Sequence, residues 1–77
     1  MNKKQRLNLE TILDKIDECQ NELDFIKDEE QEKLDNMPEN LQNSERYSNM
    51  EQAISYLEDC VSNLQSAYTD LQAVIEQ

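Results

Sequence analysis

Seventy-seven residues carry seven Lys and Arg against eighteen Asp and Glu, a formal charge of -11, with no His, no Gly and one Pro. Such a balance repels nucleic-acid phosphates and anionic lipid, so direct binding to either is excluded as a default function. A chain this short forms one small unit rather than two domains. It needs oligomerisation, a metal, a disulfide or very regular helix packing to be stable.

Leu, Glu, Gln, Asp and Asn dominate, while aromatic and β-branched residues are scarce. That is a helix-forming composition and a poor strand-forming one. Without Gly, and with Pro38 alone, the chain has room for one sharp turn. The expected fold class is all-α: two long antiparallel helices forming an αα-hairpin, pairing into a four-helix bundle.

The chain begins with the basic stretch Met1-Asn2-Lys3-Lys4-Gln5-Arg6. No apolar segment follows it, and no run approaches the roughly 18 apolar residues of a membrane span. A cytoplasmic protein without a signal peptide is expected, with its two cysteines reduced.

From there a first helix is expected over about 3–35. Its apolar residues fall at Leu9, Ile12, Ile16, Cys19, Leu23 and Ile26, alternating by three and four as one heptad stripe. Leu13 and Leu34 sit beside this stripe and Phe25 lies off it. The stripe fades at Glu30 and Lys33.

A turn is expected over 36–43, within Asn36-Met37-Pro38-Glu39-Asn40-Leu41-Gln42-Asn43. Pro38 lacks an N–H and pushes Met37 out of the helical region. It also suits the first position of a short helical turn through Leu41. Ser44 or Asn43 is the candidate N-cap of the next helix, and Glu45 suits its positive end.

A second helix is expected over about 44–76. Tyr47, Met50, Ile54, Leu57, Val61, Leu64, Tyr68, Leu71 and Ile75 alternate by three and four without a miss. Ala53, Cys60, Ala67 and Val74 form a parallel row every seven residues. The apolar face is therefore wider than a two-helix seam needs. Both arms come to roughly 50 Å at 1.5 Å per residue. Folded back, Ile26 is expected to meet Ile54, Leu23 to meet Leu57, and Ile16 to meet Leu64.

The surplus stripe points to a homo-oligomer, with a dimer favoured. The interface expected is Ala53, Ile54, Leu57, Val61, Leu64, Ala67, Tyr68 and Leu71. Cys19 and Cys60 fall at one level of the hairpin and read as small core residues, with a disulfide the lesser alternative. Lys3, Lys4 and Arg6 are expected near Asp70 and Glu76, and Glu29 is expected to pair with Lys33.

Acidic residues crowd before the turn. Asp24, Asp28, Glu29, Glu32, Asp35 and Glu39 make a candidate patch for a partner with a basic surface, against the plainer reading of a solvated helix face. The outer Ser, Asn, Gln and Thr face of the second helix is another possible docking surface, with Tyr56 as its aromatic anchor. No enzyme, cofactor or metal site can be assembled. There is no His for a base, a di-iron site or zinc, and no Gly-rich phosphate or calcium loop. A ligand site formed only at an oligomer interface is a further possibility.

The run Asp35-Asn36-Met37-Pro38-Glu39-Asn40-Leu41-Gln42-Asn43-Ser44-Glu45-Arg46 resembles the turn of small, acidic, uncharacterised helical-hairpin proteins of Gram-positive bacteria and their phages or mobile elements. The resemblance covers these dozen residues and the flanking helices. It implies a bacterial or phage origin and carries no catalytic residues. Two functions are therefore expected to compete. One is a non-enzymatic interaction module assembling through its heptad stripes. The other is an acidic inhibitor, of the phage origin that the resemblance allows, that occupies the basic cleft of a nucleic-acid-acting or defence protein.

Overall fold

A computed structural model describes all residues, Met1–Gln77. Helix α1 spans Lys3–Asp35, a 3₁₀ turn spans Glu39–Leu41, and helix α2 spans Glu45–Glu76. The two helices pack against each other along an antiparallel hairpin with Cα extents of 60 × 14 × 13 Å. The boundaries expected from the sequence hold, with Ser44 rather than Asn43 as the cap of α2.

Both helices start on side-chain caps. At α1, the Asn2 side chain accepts from the Gln5 N–H at 2.8 Å, while the Asn2 N–H donates to the Gln5 side chain at 3.1 Å. This reciprocal box satisfies two donors that the first helical turn otherwise leaves orphaned. At α2, Ser44 Oγ accepts from the Tyr47 N–H at 3.2 Å and donates to the Leu41 carbonyl at 2.6 Å. One hydroxyl thus starts the second helix and ties it to the turn.

The reversal uses no left-handed residue, although Asn36, Asn40 and Asn43 lie within it. Pro38 adopts φ -59° and ψ 148°, which stops α1 and leads into the 3₁₀ turn. The Leu41 N–H donates to the Pro38 carbonyl at 2.9 Å, and Gln42 Nε2 reaches the Met37 carbonyl at 3.4 Å.

The packing corrects the expected stripe of α1. Leu9, Leu13, Ile16, Gln20, Leu23, Lys27, Glu30 and Leu34, alternating by four and three, are the less exposed positions, with Asp24 beside them. Ile12, Cys19 and Ile26 lie outside, with Ile12 40% and Ile26 47% exposed. Leu13 and Leu34, read as flanking residues, are among the only three buried side chains, with Ile54. Exposed Ile26 therefore does not supply the buried layer expected for Ile54.

The turn explains this rotation of α1. The adopted setting buries Leu34 and half-buries Met37, the next residue on that row. Turning α1 to bring Ile12, Cys19 and Ile26 inward would carry Lys33 into the seam and Leu34 out of it. The cost falls mid-helix, where Gln20 Nε2 is buried with no hydrogen-bond partner. On α2 the expected row is the seam: Ile54 is buried, and Tyr47, Met50, Leu57, Val61, Leu64, Tyr68, Leu71 and Ile75 are half-buried.

A rod of this kind hides little of itself. Its radius of gyration is 17.5 Å, where a globule of this length has about 11.5 Å. It shows 6003 Å² of accessible surface, where a compact monomer of its mass shows about 4,900 Å².

Candidate interaction surface

The rotation of α1 gives the hairpin two unlike edges. In an antiparallel pair, the row flanking the seam on one side of α1 faces the equivalent row of α2, and likewise on the other side. One edge brings Glu10, Asp17, Asp24 and Gln31 beside Glu51, Glu58, Gln65 and Gln72. A shallow groove lined by Gln31, Asp35, Glu51 and Glu58 lies along it. The other edge brings Ile12, Cys19, Ile26 and Lys33 beside Arg46, Ala53, Cys60, Ala67 and Val74. There Glu30, Arg46, Met50 and Ala53 line a second groove.

Charge divides with the edges. The first edge and its adjoining outer row hold Glu10, Asp14, Asp17, Asp24, Asp28, Asp35, Glu51, Glu58 and Glu76, with Lys3 the single cation. The second edge and its outer row hold Lys15, Lys33 and Arg46 against Glu22, Glu29 and Asp70. One edge is therefore strongly negative and the other neutral. Much of the remaining negative charge lies on the outer helix surfaces, at Glu18, Glu32, Glu45 and Asp59.

No family model, curated protein or solved structure matches this chain.

The six acidic residues read as one patch are not gathered together. Asp24, Asp28 and Asp35 line the negative edge. Glu29 lies on the outer row beside the neutral edge, Glu32 on the outer surface of α1, and Glu39 in the 3₁₀ turn. Asp24 pairs with Lys27 at 3.5 Å, and Gln31 donates to Asp35 at 2.9 Å. Lys33 pairs with Glu30 at 3.4 Å rather than with Glu29. Lys3, Lys4 and Arg6, expected near Asp70 and Glu76, form no ion pair with them; the two ion pairs are Lys27–Asp24 and Lys33–Glu30.

The expected interface residues divide as well. Ile54 is enclosed within the hairpin, and Leu57, Val61, Leu64, Tyr68 and Leu71 are half-covered by α1. Ala53 is exposed and Ala67 half-buried, on the neutral edge. Cys19 and Cys60 are free thiols and both exposed, which corrects their reading as core residues. Ile12, Ile26 and the outer-row Tyr56, 62% exposed, complete the apolar strip. The sequence carried a signal for it. Ile12, Cys19 and Ile26 recur every seven residues, as do Ala53, Cys60 and Ala67.

The polar outer face of α2 bears an open groove lined by Ser62, Gln65, Ser66, Thr69 and Asp70. It has no apolar lining to desolvate a ligand. No three His, Cys, Asp or Glu side chains group closely enough to hold a metal. No helix is long and apolar enough to cross a membrane.

Proposed function

We propose that this chain is a non-enzymatic helical interaction module that works as a homo-oligomer, with a dimer favoured. The observation that carries the reading is the uncovered apolar strip on the neutral edge. A stable monomer gains little from leaving Ile12 and Ile26 on the surface while a lysine and an unpaired glutamine occupy its seam. A four-helix bundle would cover that strip. Neither a cofactor nor a metal enters this function. Sedimentation equilibrium over micromolar to millimolar protein tests it. The reading expects mass to rise toward a multiple of 9.1 kDa with concentration; a fixed monomer mass throughout would count against it.

The negative edge favours a second reading. A rod lined with carboxylates suits the basic cleft of a nucleic-acid-acting or defence protein, in keeping with a phage-encoded inhibitor. Binding of that kind would weaken steeply as salt rises. Salt-insensitive capture of such a partner would remove its electrostatic basis.

A further inference from the structure

The neutral edge has a pattern that its apolar character alone does not require. On α1 it reads Ile12, Cys19, Ile26, and on α2 it reads Ala53, Cys60, Ala67. Each triplet is the same in both directions about its cysteine, with seven residues on either side. The arms are nearly equal, 33 and 32 residues, and run side by side, so Cys19 and Cys60 fall at similar heights. A two-fold axis across the hairpin at that height lays each isoleucine layer on its counterpart and each alanine on its counterpart. An isologous contact needs a self-complementary patch of this kind.

Charge follows the same symmetry. Lys15 lies four residues before Cys19 and Glu22 three after it, both on the outer row beside the apolar strip. Across the axis, Lys15 of one copy comes level with Glu22 of the other, twice per dimer. The turn-end cations Lys33 and Arg46 are carried to opposite ends, level with uncharged Gln5 and Val74. A pairing with both turns at one end would instead bring Lys33 and Arg46 of both copies together.

The areas agree. The hairpin exposes about 1,100 Å² more than a compact monomer of its mass, and a standard interface hides about 800 Å² per partner. Of the two edges, this is the one that lets a second copy approach without setting carboxylate rows against each other.

We propose that a second copy of this chain packs antiparallel on the edge formed by Ile12, Cys19, Ile26, Ala53, Cys60 and Ala67, with each helix against its own counterpart. The inference rests on the homo-oligomer reading and adds its surface and symmetry. Two experiments test it. Ala53→Glu, at an exposed position, leaves the hairpin helical by circular dichroism and weakens the dimer about 100-fold or more, because each dimer would bury two new charges. Ser55→Glu, exposed on the other side of α2, leaves association within about threefold of the parent. In addition, Cys60→Ser and Cys19→Ser, each with one thiol left, form disulfide-linked dimers under mild oxidation with copper phenanthroline. An associating chain that tolerates Ala53→Glu, or that links only when the two single-thiol variants are mixed, overturns the edge or the antiparallel axis but keeps the homo-oligomer. A parent chain that stays monomeric overturns both.

Discussion

The two edges of this hairpin come from the same pair of helices and the same heptad spacing, yet they differ in almost every property that governs association. One presents Glu10, Asp17, Asp24, Glu51 and Glu58, and the other presents Ile12, Ile26, Ala53 and two thiols. The negative edge works against the fold that carries it, because carboxylates on facing rows repel across the seam. The neutral edge leaves apolar surface that the hairpin does not use. The difference teaches that most of the net charge of -11 is directional. It closes one side of the rod to copies of itself and leaves the other open.

The comparison depends on how α1 is rotated, and Gln20 is where that rotation is most strained. Its amide nitrogen is buried without a partner. Replacing it, Gln20→Leu, is expected to raise stability by about 1–3 kcal/mol, the usual cost of an unsatisfied buried polar group. Urea unfolding measures this. No gain would mean that Gln20 faces water and that α1 presents a different row to α2.

A smaller effect sharpens the other half of the comparison. Glu58→Lys puts a cation on the carboxylate edge. It is expected to stabilise the fold by about 0.2–1 kcal/mol at low salt. The gain should shrink as salt shortens the Debye length from about 30 Å at 0.01 M to about 3 Å at 1 M. Unfolding at both ionic strengths checks it. A gain that ignores salt would show that repulsion along this edge is not what the substitution relieves.

Much of this was legible in the residues. The helix limits followed from Pro38, from the polar turn and from the Ser44 cap, all local chemistry. The Asn2 and Gln5 box at the first helix was missed, although a cap residue followed three positions later by a glutamine is its signal. The seam of α2 was unambiguous because only one complete stripe runs along it. The seam of α1 was not. Two rows share Leu9, Ile16 and Leu23, and counting apolar residues favours the one with Ile12, Cys19 and Ile26. The choice falls to Leu34 and Met37 at the turn, a tertiary effect that periodicity within one helix does not carry. That same choice moved Cys19 from the expected core to the surface. The expected acidic patch is scattered under either rotation, since neighbours in sequence point around the whole helix.

Small-angle X-ray scattering at a concentration where the chain associates tests the side-by-side arrangement most directly. Two hairpins packed edge to edge double the mass while the long dimension stays close to the 60 Å of one rod. Doubled mass with a rod nearly twice as long would mean that the ends, not the neutral edge, make the contact.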